Sequence, residues 1–174
     1  MRRWIPAVLW TLLPLSACVA PSTELSDVEA LAVQEEVTAT VDAFVEALNR
    51  HDPEEVMSFY APEADLVRLG CTNIAVGLET IRQRITIYHQ QRKDVTFSME
   101  VAYVKPLTAT SAVASVRGGT SNTAGLFWSL GMVEQPDGRW LIAYEHQSWP
   151  DCPEARGFHT GGAPSEAMLA DTLQ

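Results

Sequence analysis

Basic residues are scarce in this chain: 12 Lys and Arg stand against 22 Asp and Glu in 174 residues, a formal charge of −10. Phosphate contacts need clustered cations, so this balance argues against a nucleic-acid partner. Anionic substrates are repelled as well, unless the fold builds a local basic pocket. Cysteine and histidine are few, 3 and 4. The chain has no Cys-x-x-Cys pair, no His-Glu-x-x-His and no two-histidine ligand spacing, so no metal is expected. A P-loop, a dinucleotide fingerprint and a Gly-x-Ser-x-Gly elbow are missing too, and no cofactor is expected.

What is present begins with MRRWIPAVLWTLLPLSAC. Arg2 and Arg3 form a basic opening, and the apolar stretch from Trp4 to Leu15 is too short to span a bilayer, the pattern of an export signal. Leu15, Ser16, Ala17 and Cys18 resemble a bacterial lipobox, which implies removal of residues 1–17 and a diacylated Cys18. Val19, not an acid, follows the cysteine, which in two-membrane bacteria favours the periplasmic side of the outer membrane. The alternative is an ordinary signal peptide or an uncleaved anchor. With Cys18 lipidated, Cys71 and Cys152 remain as an even pair in an oxidising compartment, and a disulfide between them is expected; the alternative is two separate free thiols.

With 47% hydrophobic residues, the rest suits one domain with its own core. Residues 18–25 read as a tether, 26–152 as the domain and 153–174, rich in Gly and Pro, as a poorly ordered tail. Ser26 and Glu29 form a capping box ahead of Val37, Val41, Phe44, Val45 and Leu48, an amphipathic helix. Asp52, Pro53, Glu54 and Glu55 open a short second helix. Leu66 to Leu69 and Asn73 to Val76 read as a strand pair. Leu78, Ile81, Ile85 and Tyr88 mark a third helix whose other face, Arg82, Arg84, Gln91 and Arg92, reads as a solvated surface. From Val95 the period becomes two, with Phe97, Met99, Val101 and Tyr103 on one face. Three more strands follow, the last two joined by a Pro-Asp-Gly turn.

This order implies an α+β fold, with three helices packed on one strongly curved, mainly antiparallel sheet. AFVEALNRHDPEEVMSFYAPEADLV (Ala43 to Val67), GLETIRQ (Gly77 to Gln83) and DGRWLIAYEHQS (Asp137 to Ser148) resemble the nuclear-transport-factor-two-like superfamily, in particular its SnoaL-like and ketosteroid-isomerase-like branch. The resemblance implies a cone-shaped α+β barrel holding one internal pocket, walled by the concave sheet face and the second and third helices. It also implies homodimers, and first and last strands lying side by side, which would bring Cys71 near Cys152.

The resemblance puts Trp140, Ile142, Tyr144, His146 and Ser148 inward by strict alternation, leaving Glu145 on the convex side. His146 is then a candidate general acid or base, with Asp65 as a second candidate catalytic residue; the competing readings are a buried, hydrogen-bonded histidine and a turn-capping aspartate. Tyr60, Arg68, Met99, Trp128, Tyr144 and Ser148 complete a candidate ligand site. Because one fold hosts many functions, two readings stand. The first is a membrane-tethered, non-catalytic module that binds a small apolar ligand or a partner; the second is a cofactor-free isomerase, dehydratase or cyclase.

Replacing Cys18 by Ser is expected to move the mature protein out of the membrane fraction or to block its processing. Mass spectrometry of an unmodified chain starting at Met1 in the soluble fraction of the unmutated protein would refute lipidation.

Overall fold

The computed structural model describes residues 24–62, 65–70 and 73–149. Cys18, Cys71 and Cys152, the signal segment and the tail lie outside the described residues. Helix α1 spans Asp27–Arg50 and begins where the sequence predicts: the Ser26 hydroxyl accepts from the Glu29 amide while the Glu29 carboxylate accepts from the Ser26 backbone. Its buried stripe, Val33, Val37, Val41, Phe44, Val45 and Leu48, recurs at intervals of three and four, so one face enters the core. His51 ends it in the left-handed conformation, φ 56°. Helix α2, Pro53–Met57, follows at once, with the Asp52 carboxylate accepting from the amides of Glu54 and Glu55. No helix among the described residues is long and apolar enough to cross a membrane.

Strands β1 (Val67–Leu69) and β2 (Ile74–Val76) form a small antiparallel pair. After helix α3, Leu78–Gln91, a meander of β3 (Phe97–Thr108), β4 (Ser111–Thr120), β5 (Thr123–Glu134) and β6 (Trp140–Ser148) makes up the rest. The sheet order is β2-β1-β6-β5-β4-β3, antiparallel except where β1 runs parallel to β6. First and last strands are therefore neighbours, as the resemblance implies.

Helix α1 is held in the concavity by side chains that bond to the sheet. The Asn49 amide accepts from the Phe97 amide at 2.7 Å and donates to the Phe97 carbonyl at 3.0 Å, so it caps the start of β3. The Trp140 indole donates to Glu36 at 2.9 Å. Curvature needs local breaks in the ladder, and Gly118 supplies one. A Cβ there would sit 2.1 Å from the Ser98 carbonyl oxygen, so only glycine lets β3 and β4 come this close.

Two bulges overturn the strict alternation expected from the sequence. In β3, Val101 pairs with Val116 and Tyr103 with Ser115, so Ala102 is the extra residue. Tyr103, expected on the inner face, is consequently 58% exposed. In β6, Ile142 pairs with Met132 and Tyr144 with Gly131, leaving Ala143 as the extra residue. Each inserted residue moves everything after it to the opposite face.

Candidate functional site

The bulge at Ala143 decides which side chains of β6 reach the interior. Before it, Trp140 and Ile142 point inward as expected and are buried. Beyond it, Glu145 lies opposite Leu130 and Gln147 opposite Trp128, both core positions, so these two polar residues face inward. Tyr144, His146 and Ser148 pair with Gly131, Ser129 and Phe127 on the outer face. The expected assignment is thus reversed: Glu145 is 1% exposed, while His146 and Tyr144 are exposed.

Glu145 is the centre of a polar cluster in an otherwise apolar interior. Its Oε2 accepts from the Tyr60 hydroxyl and, at 3.2 Å, from Arg68 Nε; its Oε1 accepts from the Gln147 amide at 2.5 Å. Backbone pairing sets this geometry. Arg68 on β1 is the parallel partner of Glu145 on β6, and the segment after α2 is stitched to β6 by bonds from the Ile142 amide to the Phe59 carbonyl and from the Ala61 amide to the Ile142 carbonyl. Burial, with the Glu145 charge beside it, pushes the Tyr60 phenol well above its usual range, so the hydroxyl stays neutral and donates. Burial alone would disfavour the charged form of Arg68, but the Glu145 carboxylate and Tyr60 outweigh it and the guanidinium's affinity for its proton rises.

Around this cluster opens a pocket of about 640 Å³. Phe44, Leu48, Ile85, Val95, Phe97, Leu126 and Trp128 form its buried apolar wall. Its aromatic rings pack on one another, Phe44 against Trp128 at 5.9 Å and Phe97 against Trp128 at 6.0 Å between centroids. Helices α1 and α3 supply the helical walls. Helix α2, expected to contribute, lines none of it, and only Tyr60, just beyond its end, does. His89, 2% exposed, also borders the pocket; its Nδ1 lies 3.2 Å from Nδ1 of His51. Burial first, then the neighbouring His51, lowers its tendency to protonate.

Of the ligand residues expected from sequence, Tyr60, Arg68 and Trp128 line this pocket. Met99 packs against the core without lining it. Tyr144 and Ser148 are on the outer face, and the bulge is the reason. The two candidate catalytic residues are not brought together: His146 is on the outer face and Asp65 is exposed in a turn, neither among the lining residues. Sequence reasoning missed Glu145, Gln147 and His89 as site residues. One signal was available, since an arginine on a short, partly buried strand needs a carboxylate near it.

The profile of the SnoaL-like domain matches residues 37–152, and the chain belongs to that family. No curated protein matches it. Among solved structures it is similar to a nuclear-transport-factor-two-like family protein from Streptomyces avermitilis whose assignment as a dehydratase is provisional. That match has 19% identity and a TM-score of 0.58, covering 68% of this chain and 96% of that one. It is also similar to a ketosteroid isomerase-like protein from Erwinia carotovora atroseptica, at 20% identity and TM-score 0.52, covering 68% and 96%. A nuclear-transport-factor-two-like protein from Shewanella oneidensis matches at 18% identity and TM-score 0.51, covering 66% and 97%. These likenesses establish the fold: helices in the hollow of a curved, unclosed six-stranded sheet.

Two outcomes are expected from the cluster and the histidine pair. Glu145→Ala strands a cation and a phenol in the interior and is expected to cost about 3 kcal/mol in urea unfolding, with Glu145→Gln costing less because an acceptor remains. A loss under about 1 kcal/mol for the alanine variant would show that the cluster does not hold the sheet together. For His89 the folded protein favours the neutral ring. Its contribution to stability is therefore complete above the unfolded value of about 6.5 and is lost as pH falls from there through the lower folded value. Melting temperature followed across that window should drop, and His89→Leu should flatten the drop.

Proposed function

We propose that this chain is an exported, membrane-tethered SnoaL-like module whose cone pocket binds a small, largely apolar molecule without transforming it. One observation carries the reading: a pocket of about 640 Å³ with an apolar, aromatic wall, in which the sole lining carboxylate among the described residues already accepts three hydrogen bonds. That volume lies within the range of small-molecule sites. A general base works best with its carboxylate open to the substrate proton, and Glu145 has three of its roughly four acceptor sites taken by Tyr60, Arg68 and Gln147. The tether rests on Arg2, Arg3, the short apolar segment and Cys18, and places the domain at the cell envelope, on the periplasmic side of the outer membrane. A second copy of the chain packed on the outer sheet face, where Phe127 and Tyr144 are exposed, completes this reading as a homodimer.

The enzyme reading draws on the same cluster. A buried tyrosine and glutamate with a partly buried arginine, bordering an apolar pocket, is a set that could polarise a carbonyl or move a proton, and the similar Streptomyces protein carries a provisional dehydratase assignment. The two readings separate experimentally. A thermal-shift screen of fused-ring and aromatic compounds is expected to find ligands that raise the melting temperature, by linkage of binding to folding. Leu126→Trp, which fills the pocket from its wall, should fold and lose the shift. Shifts that persist in that variant, or none in the unmutated protein, would set the binding reading aside. Turnover of a bound compound that vanishes in Glu145→Gln would favour the enzyme.

A further inference from the structure

The rim of the pocket has a charge opposite to that of the chain. Among the described residues three arginines line the pocket, Arg68, Arg84 and Arg92, against the single carboxylate of Glu145, in a protein whose formal charge is −10. Arg68 is the partner of Glu145. The other two have no carboxylate partner among the described residues. Arg84 donates to the Asn73 side chain at 2.5 Å and to the Ile74 carbonyl at 3.1 Å, both neutral, and is thereby held in place with no described carboxylate compensating its charge. Arg82, on the same helix, differs: it pairs with Glu54 and Glu79 and does not line the pocket.

We infer that the ligand is amphipathic, with an apolar, ring-containing body in the pocket and a carboxylate or similar anionic end held at the rim by Arg84 and Arg92. This deepens the binding reading and rests on it. The body is specified by Phe44, Leu48, Phe97, Leu126 and Trp128. The anionic end is specified by position: Arg92 is exposed and Arg84 partly exposed, whereas those apolar residues are buried. A guanidinium matches a carboxylate with paired donors and is weakly hydrated, so the contact loses little on leaving water. Arg92 caps the C-terminal end of α3, where the helix dipole places roughly half a negative charge. The full charge of Arg92 exceeds it. Asp94 is close enough to Tyr88 to be felt there, but it is not among the lining residues. The acidic remainder of the chain repels anions in general, so the arginines set a preference for anions that also carry an apolar body.

Calorimetric titration of the full chain with 2-naphthylacetate and with 2-naphthylacetamide tests this. The two probes share a body and differ in charge. The carboxylate is expected to bind at least about tenfold more tightly, and the ratio should shrink as salt is raised. In the double variant Arg84→Gln, Arg92→Gln, shown to be folded by its circular dichroism and melting, the ratio should fall to within about twofold. Equal binding of the two probes, or tighter binding of the amide, would overturn the inference and leave the pocket reading standing. A ratio that survives in the double variant would overturn the assignment to Arg84 and Arg92. Binding of neither probe, with no shift in the compound screen, would overturn both readings.

Discussion

One buried carboxylate ties together parts of this domain that are far apart in sequence. Glu145 gathers the segment after α2 through Tyr60, strand β1 through Arg68 and its own strand through Gln147. A charge in that position is unfavourable unless it is paired and its lone pairs are used. Here the charge is paired and three hydrogen bonds reach its oxygens, so the cluster tolerates burial at the edge of an apolar cavity. The same bonds explain why a strand as short as β1 stays in the sheet. Three residues offer few ladder bonds, and the side-chain pairing of Arg68 with Glu145 across the parallel junction supplements them.

The pocket follows from the same arrangement. With Arg68 committed to Glu145 and Tyr60 kept neutral, the polar groups of the cluster bond to one another, and beside them the pocket's buried wall is aromatic and aliphatic, with the Trp128 indole N–H left without a partner among the described residues. Net charge at the opening then comes from Arg84 and Arg92. Polarity is thus divided by depth: compensated inside, cationic at the rim, acidic over the molecule as a whole.

Features governed by neighbours in sequence were legible in the sequence, and those governed by partners across the sheet were not. The capping box at Ser26, the N-cap at Asp52 and the helical stripes are local, and the structure has them where the residues place them. The order of helices and strands, together with the quoted segments, was enough for the fold and for Tyr60, Arg68 and Trp128 as pocket residues. Alternation failed at Ala102 and Ala143. An alanine gives no local sign that it will be the unpaired residue of a bulge, because the bulge is decided by the register of β4 and β5. That single unseen residue in β6 exchanged His146 for Glu145, and the site expected from sequence became the outer face of the sheet.

The parallel contact between β1 and β6 also orders events in time. Among the described residues, strands β1 and β2 have no sheet neighbour other than each other and β6, and β6 is the last strand. The meander from β3 to β6 can zip up through successive hairpins, whereas β1 must wait for a partner more than seventy residues downstream. Closing so long a loop costs entropy before any contact repays it. A chain emerging N-terminus first therefore carries α1, α2 and the first two strands without their final sheet neighbour until its last strand is free. The pocket gains its Tyr60, Arg68 and Glu145 side only at that closing step, when the three meet.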